Sequence, residues 1–278
     1  MSSVYWDGRR FVGKEEIRIS PDDRGYYFGD GVYEVFRVYG GRLYEPKAHF
    51  DRLVRTADGL RLKLPLSVEA IEENLTRLIA HNRLSEGTVY MQITRGAAPR
   101  SHPFPQEAEP VVLAYCNEVP RPAASMEAGI KAITVPDIRW LRCDYKTLNL
   151  LPNVLAKQEA LDAGAQDAIL HRDGTVTECS ASNIMIVKDG AVVTHPADNW
   201  ILHGVTRGVV LRLARASEIE TIERAFTVEE LLNADEAFIT GTTVEVTPVV
   251  AVDGQAIDNG SPGPVTRRLQ REFAATIG

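Results

Sequence analysis

Residues Trp140–Leu151 read WLRCDYKTLNLL, and the assignment of both fold and function depends on this stretch. It places Lys146 between apolar residues, directly before a segment that predicts a helix. The chain has seven lysines against 24 arginines, so a lysine in this setting stands out. Partial loss of solvation favours a neutral, nucleophilic amine, which a lysine needs in order to form a Schiff base. The alternative, which composition alone favours, is an aliphatic stem packed on apolar surface with its ammonium group in water.

On the carboxyl side of this stretch, short strands alternate with helices. Periodicity predicts helices over about Leu150–Ala163, Thr206–Ala216 and Thr227–Ala234. Strands are predicted at Ile130–Val135, Ala168–Leu170, Asn183–Val187 and Ala191–Thr194.

The amino-terminal part shows the same mixture. A hairpin is predicted where Val4–Trp6 and Phe11–Val12 flank a turn at Asp7–Gly8. Helical spacing covers His49–Leu60 and Ser67–Asn82, the second with Ser67 as a candidate N-cap. Further strands are predicted at Gly31–Tyr39, Thr88–Thr94 and Pro110–Tyr115.

Length and composition indicate two α/β domains. The 278 residues exceed the usual size of one domain, and 44% of them are hydrophobic, which suffices for two cores. The stretch EVPRPAAS, Glu118–Ser125, is polar and proline-bearing and is the best candidate linker. The predicted organisation is an N-terminal α/β domain over residues 1–118, a linker over 119–125, and a C-terminal α/β domain over 126–278.

Several classes of partner are disfavoured. A net charge of −7 argues against nucleic acid, whose binding modules are usually basic. No stretch approaches the roughly 20 apolar residues that span a membrane. The amino end lacks the apolar core of a signal peptide. The three cysteines lack metal-ligand spacing, so we expect no metal site and a reducing, cytoplasmic location.

Several motifs occur together in one order: DRGYYFGDGVYEV (Asp23–Val35), the run containing Arg100 and His102 (Thr94–His102), the lysine stretch, and TVTECSASN (Thr175–Asn183). With them, the whole chain resembles the fold-type IV (class IV) pyridoxal 5'-phosphate (PLP)-dependent aminotransferases, and within these the bacterial D-amino acid transaminases. The resemblance implies a small N-terminal α/β domain and a larger C-terminal α/β pseudo-barrel domain that binds the cofactor.

The resemblance also implies how PLP is bound. Lys146 would form the Schiff base, and Glu178 would face the pyridine nitrogen and keep it protonated. Arg139 is expected to orient the phenolic oxygen. Contacts to the phosphate would come from Arg52, Val205, Thr206 and Thr242. Without the resemblance, Glu178 and Arg52 would be taken for ordinary surface residues.

Local sequence supports the phosphate site independently. The run LHGVTR, Leu202–Arg207, opens a predicted helix, and the first N–H groups of a helix favour an anion.

Two positions depart from close relatives: Ala181 and Gly241 stand where hydroxyl residues are common. No glycine-rich nucleotide motif offers an alternative site.

Arg100 and His102 are candidates for binding a substrate carboxylate. Two residues apart in extended chain, their side chains project to the same side. By resemblance, this pair reaches the α-carboxylate from the partner subunit of a homodimer, together with Tyr33. The alternative is a solvated loop rich in Pro, Ser and Ala.

The implied activity is ping-pong transamination between D-amino acids, such as D-alanine and D-glutamate, and 2-oxo acids, such as 2-oxoglutarate and pyruvate. Alternatives with the same fold are a branched-chain L-aminotransferase, an R-amine transaminase and an aminodeoxychorismate lyase. The Arg100–His102 pair argues against the first two. A catalytically silent PLP-binding protein is the non-enzymatic alternative.

Overall fold

The computed structural model describes residues 3–277. The chain divides into two compact units. The first runs to Pro120 and includes Tyr145–Asn149, and the second comprises Arg121–Asp144 and the chain from Leu150 onward. No helix among the described residues has the length and apolar character needed to cross a membrane.

The first unit contains one sheet of six strands. The strands are β1 (Val4–Trp6), β2 (Phe11–Gly13), β3 (Gly31–Tyr39), β4 (Arg42–Leu43), β5 (Gly87–Thr94) and β6 (Val111–Glu118). Their order in the sheet is β2-β1-β6-β5-β3-β4, and neighbouring strands are antiparallel. The helices are α1 (Arg24–Phe28), α2 (Pro46–Gly59) and α3 (Val68–Asn82), and a short 3-10 turn covers Lys14–Glu16.

One face of this sheet forms the first core. Alternate residues of β3, among them Val32 and Phe36, are fully buried in a cluster with Leu75 and Leu78 of α3. This is the packing that a period of two on a strand and 3.6 on a helix predicts. Ser67 caps α3 by accepting a hydrogen bond from the Ala70 N–H, as the sequence predicted. The amino-terminal hairpin and the strand Gly31–Tyr39 are also confirmed.

The second unit contains a mixed sheet of nine strands. The strands are β7 (Ile130–Pro136), β8 (Asp167–Arg172), β9 (Thr175–Cys179), β10 (Asn183–Lys188), β11 (Ala191–Thr194), β12 (Thr221–Glu223), β13 (Glu236–Gly241), β14 (Glu245–Val252) and β15 (Gln255–Ala256). The order is β12-β11-β10-β13-β14-β7-β8-β9, with β15 paired to β14. The helices are α4 (Ala123–Ala128), α5 (Leu151–Asp162), α6 (Val205–Ala216), α7 (Val228–Leu232) and α8 (Pro264–Ala275).

Half of the elements of this unit agree with the sequence prediction to within two residues, and the other half were not predicted. Strands β9, β12, β13, β14 and β15 and helices α4 and α8 lay outside the predicted elements, as did helix α1 and strand β4 of the first unit. β13 and β14 lie in the middle of the sheet and supply Ile239 and Val249 to the second core. Because both faces of such central strands are covered, they lack the alternation that identifies a half-exposed strand.

The predicted linker and C-terminal domain differ from the compact units. The chain passes from the first unit to the second between Pro120 and Arg121, and α4 begins at Ala123, inside the stretch taken as a linker. Residues 145–149, which the sequence placed in the C-terminal domain, pack with the first unit. The reason is an open strand edge: β4 covers only Val38 and Tyr39 of β3, which leaves the start of β3 available for pairing.

Candidate functional site

Lys146 lies on that open edge of β3. The Tyr33 N–H donates to the Lys146 carbonyl over 3.1 Å, and the Leu148 N–H donates to the Gly31 carbonyl over 3.2 Å. The Lys146 N–H donates to the hydroxyl of Thr56, a fully buried residue of α2, over 3.3 Å. These three bonds fix the backbone of the lysine to the sheet and to a helix of the first unit.

The side chain of Lys146 is half-buried and lies over the ring of Tyr33. Its Nζ is 4.1 Å from the ring centroid. A cation at this distance from an aromatic face is attracted by the ring, and the ring also limits the directions the amine can take. The structure therefore brings together two of the predicted site residues, the amine and the tyrosine.

Arg52 is held by a buried carboxylate that the sequence analysis did not single out. Its Nε and Nη2 each donate to Glu34 over 2.7 Å, and His49 Nδ1 lies 2.8 Å from the same carboxylate. Burial alone would raise the pKa of Glu34, but the charge and hydrogen bonds of Arg52, with His49, lower it from 4.5 to about 2. The paired geometry sets the plane of the guanidinium group.

Arg100 and His102 lie in the exposed loop between β5 and β6. The Arg100 Cζ is 5.2 Å from the centroid of the Phe28 ring, and the His102 ring centroid is 5.6 Å from it. Both side chains therefore share one aromatic neighbour, which is consistent with the predicted pairing. These two residues belong to the first unit, as do Lys146, Tyr33 and Arg52.

Glu178 lies near the end of β9 in the second unit and is buried. Its Oε1 accepts a hydrogen bond from Arg139 Nη1. Its Oε2 accepts from Asn183 Nδ2 and from the Leu202 N–H, both over 3.0 Å. Burial raises the pKa of Glu178, while Arg139 and the Leu202 N–H act in the opposite direction by favouring the ionised form. The three hydrogen bonds hold the Glu178 carboxylate in one orientation.

The surroundings of Arg139 give it a task that the sequence analysis did not expect. Its Nε and Nη2 donate to the buried Asp137 over 2.9 and 2.8 Å, Nη2 also donates to the Trp200 carbonyl over 3.2 Å, and Nη1 binds Glu178. A guanidinium engaged in this way orients Glu178, while its contact with a phenolic oxygen stays a prediction. The sequence could not reveal the bond to Glu178, because the two residues are 39 positions apart.

Helix α6 begins at Val205, with Gly204 as its N-cap, and Thr206 is buried. The start of the helix touches the carboxylate network through Asn183. A Cβ on Gly204 would lie 2.0 Å from Asn183 Oδ1, so any other residue there would require Asn183 to move. Since Asn183 Nδ2 bonds both Glu178 and the Leu202 carbonyl, over 3.0 and 2.9 Å, this one amide joins the carboxylate to the helix start.

Thr242 lies in the turn between β13 and β14 and is half-buried. Thr240, at the end of β13, is the cross-strand partner of Asn183 in β10. The turn that contains Thr242 therefore begins close to Asn183. At Gly241, a Cβ would lie 3.1 Å from a methyl group of Val244. A hydroxyl residue at this position would therefore require Val244 to move.

Several residues that organise the site were missed by sequence reasoning. Glu34 and Asn183 fall within the quoted motifs, and strand alternation places Glu34 on the face opposite Tyr33, which is the covered face. Asp137 and His49 carried no local signal. Both are fixed by partners distant in sequence, such as Thr177, 40 residues from Asp137.

The second unit fits the cofactor that the resemblance implies. A buried carboxylate fixed by three donors suits a protonated pyridine nitrogen. A helix start with the Thr206 hydroxyl suits a phosphate. Gly204 lies so close to Asn183 that a Cβ would collide with its side chain, and this close approach places the helix start beside the carboxylate.

Comparison with known proteins agrees with this fit. The model of the class IV amino-transferase family matches residues 31–252. The chain is 47% identical over 274 residues to the D-alanine aminotransferase of Staphylococcus haemolyticus, covering 98% of this chain and 97% of that protein. It is 46% identical to the D-alanine aminotransferase of Listeria monocytogenes serotype 1/2a, covering 96% and 93%.

Solved structures show the same fold. The branched-chain amino acid aminotransferase of Escherichia coli superposes with a TM-score of 0.93 at 27% identity, covering 100% of this chain and 95% of that one. A T.th. branched-chain amino acid aminotransferase, complexed with N-(5'-phosphopyridoxyl)-L-glutamate, gives 0.91 at 28% identity, covering 100% and 94%. The fold-type IV α/β architecture expected from the sequence is confirmed.

Proposed function

Because the chain belongs to the class IV aminotransferase family, we propose that Lys146, Glu178 and the Arg100–His102 pair together carry out the transamination of D-amino acids. The chain is a PLP-dependent aminotransferase, and its full-length identity of 46–47% to D-alanine aminotransferases supports D-alanine and related D-amino acids as substrates. The structural observation that carries the assignment of roles is the buried Glu178 carboxylate, held by Arg139, Asn183 and the Leu202 N–H.

Each group in the second unit has one task. When bound, PLP supplies an electron sink for the negative charge that develops at the substrate Cα. Glu178 holds a proton on the pyridine nitrogen, and Arg139 keeps the Glu178 carboxylate in place. The N–H groups at Val205 and Thr206, with the hydroxyls of Thr206 and Thr242, bind the phosphate.

The groups of the first unit bind the substrate and move its proton. With PLP bound, the Lys146 amine would accept the substrate's Cα proton as a base and would then donate a proton as an acid. Tyr33, which Lys146 overlies, restricts the position of that amine. Arg52, oriented by Glu34, adds a cation for the phosphate. Arg100 and His102 bind the α-carboxylate and so determine which face of Cα is presented to the base.

A homodimer is part of the proposal. Arg100 and His102 are exposed in the single chain, as expected of residues that serve a partner subunit. Helix α5 also has an uncovered apolar face, with Leu151, Val154 and Leu155 at helical spacing and 67%, 57% and 55% exposed. Monomeric surfaces rarely leave such a face open to water. The free thiols of Cys116, Cys143 and Cys179 support a reducing, cytoplasmic location.

The substitution Glu178→Gln tests the assigned roles. It preserves shape and hydrogen bonding to Leu202 but removes the charge that stabilises a protonated ring nitrogen. We expect the variant to bind PLP and to lose about two to four orders of magnitude in the rate of Cα proton removal. Absorbance of the bound cofactor reports occupancy, and stopped-flow mixing with D-alanine reports the rate. Turnover close to that of the unmodified protein would contradict the assignment.

Branched-chain amino acids, taken as the L enantiomers, are the second candidate substrates, since the superposed structures are named branched-chain amino acid aminotransferases. D-alanine, L-leucine and an R-configured amine, each assayed with 2-oxoglutarate, separate the possibilities. Reaction of L-leucine without reaction of D-alanine would overturn the proposed role of Arg100 and His102.

A further inference from the structure

The loop that carries Arg100 and His102 is held by an arginine beneath it. Arg24 is buried, and its Nη1 and Nη2 donate to the carbonyls of Ser101 and His102 over 2.5 and 3.3 Å. Its Cζ also lies 4.9 Å from the centroid of the Phe28 ring, the ring that Arg100 and His102 share. One guanidinium group therefore binds the backbone of Ser101 and His102, next to the two side chains proposed to bind the carboxylate.

A second buried arginine, Arg95, anchors the start of the loop and contacts its middle. The Arg95 N–H donates to the Asp30 carbonyl at the start of the loop. The Arg95 guanidinium donates to the carbonyls of Leu60 and Arg61, each over 2.9 Å. Phe104, further along the loop, stacks on the same guanidinium at 3.9 Å.

Both arginines depend on one carboxylate, Asp30. Arg24 Nε donates to Asp30 Oδ2 over 2.8 Å, and Arg95 Nε donates to Oδ1 and Oδ2 over 3.1 and 2.9 Å. The three side chains are 4–11% exposed. Without Asp30, two guanidinium groups would remain buried with no countercharge between them, which is strongly unfavourable.

Asp30 also adjoins the segment that carries Lys146. It follows Gly29, which has a φ of 64° and lies so close to Asn149 that a Cβ would be 2.6 Å from Asn149 Oδ1. Asn149 Nδ2 donates to the Gly29 carbonyl over 3.2 Å. One short turn before β3 thus contacts both the lysine segment and the supports of the loop.

We propose that Asp30, acting through Arg24 and Arg95, is the positioning residue that sets Arg100 and His102 for the substrate carboxylate. The proposal rests on the proposed function, in which these two residues bind that carboxylate. In this role Asp30 acts only through the two arginines and makes no contact of its own with substrate or cofactor. Its loss should therefore weaken binding of carboxylates while leaving cofactor occupancy intact.

The test compares Asp30→Asn, Arg100→Gln and the double variant in the PLP-loaded protein. Propanoate, which has the carboxylate of D-alanine but no amine, serves as a competitive probe. We expect its Ki, and the KM for D-alanine, to rise about 10- to 100-fold in Asp30→Asn, the effect of losing a hydrogen bond to a charged group. The absorbance of bound PLP should not change. The double variant should be no worse than Arg100→Gln by more than about threefold, because residues that act through one another are not additive.

A second readout does not depend on catalysis. Amide hydrogen exchange over residues 97–104, followed by mass spectrometry, should be at least about tenfold faster in Asp30→Asn. Arg24→Lys keeps the charge but replaces the forked guanidinium, which binds both carbonyls and Asp30, with a single ammonium group, so it should show the same changes if Asp30→Asn folds poorly. Glu109→Gln is the matched control, because it breaks only the exposed Arg9 ion pair at the end of the same loop.

The outcomes separate the two claims. Unchanged exchange in Asp30→Asn and Arg24→Lys, or a double variant whose loss equals the product of the single losses, would overturn the positioning role. If Arg100→Gln leaves propanoate binding unchanged, the carboxylate-binding role in the proposed function fails instead, and hydrogen exchange still decides whether Asp30 holds the loop.

Discussion

The substitution Gly204→Ala probes the junction between helix α6 and the Glu178 carboxylate. Gly204 has a φ of −64°, so alanine suits its backbone conformation, and any cost comes from the added methyl group alone. That methyl group would lie 2.0 Å from Asn183 Oδ1, well inside van der Waals contact. Asn183 must therefore rotate or the helix start must shift.

The cost can be worked out from the contacts at stake. Forcing a methyl group into a packed site costs about 1–3 kcal/mol. Rotation of Asn183 also breaks its 3.0 Å bond to Glu178, and a hydrogen bond to a charged group contributes about 1.5–3 kcal/mol. Rotation of Asn183 relieves the steric clash but breaks the hydrogen bond, so the two costs do not add in full. We expect the free energy of unfolding to fall by roughly 2–4 kcal/mol. A loosened Glu178 should also raise the Kd for PLP by about tenfold or more.

Gly208→Ala is the matched control on the same helix. A Cβ there meets no atom within 4 Å, and the residue is exposed. Alanine in a helix interior is favoured over glycine by roughly 0.5–1 kcal/mol, so this variant should be slightly more stable than the unmodified chain. Urea unfolding with and without PLP, together with titration of the cofactor, measures both effects. Equal stability of Gly204→Ala and Gly208→Ala, or unchanged affinity of Gly204→Ala for PLP, would show that Gly204 does not support the Glu178 carboxylate.

Three further predictions concern other parts of the molecule. The pKa of Glu34 is lowered from 4.5 to about 2 in the folded chain. The ionised carboxylate therefore stabilises the fold above pH 4.5, and this stabilisation is lost as the pH falls toward 2. The loss in the free energy of unfolding is of order 3 kcal/mol. In urea unfolding, Glu34→Gln should flatten the dependence of this free energy on pH, and parallel pH profiles for the variant and the unmodified chain would contradict the prediction. Arg52→Lys cannot form the paired contact with Glu34 and should raise the Kd for PLP about tenfold, whereas Arg55→Lys, exposed on the same helix, should not. Leu155→Asp should shift sedimentation from dimer to monomer, and an unchanged dimer would show that the exposed face of α5 is not the interface.

Features that depend only on neighbouring residues could be predicted from the sequence. Strand Gly31–Tyr39 was predicted with its observed bounds, because β-branched and aromatic residues dominate it. Helix Val68–Asn82 was predicted because its apolar residues recur at helical spacing and Ser67 caps it. The separated motifs were sufficient to identify the family and to select Lys146 and Glu178 as candidates.

The residues that support these candidates became apparent only from the folded chain. The placement of residues 145–149 on the open edge of β3 depends on how short β4 is, which no local pattern encodes. Arg139 bonds Glu178 across 39 residues, and Arg24 reaches the Ser101 carbonyl across 77. A buried charge takes whichever partner the fold brings within reach, because leaving it unpaired costs more than almost any local preference. The candidate reactive groups could therefore be predicted from the sequence, while the residues that orient them were set by packing.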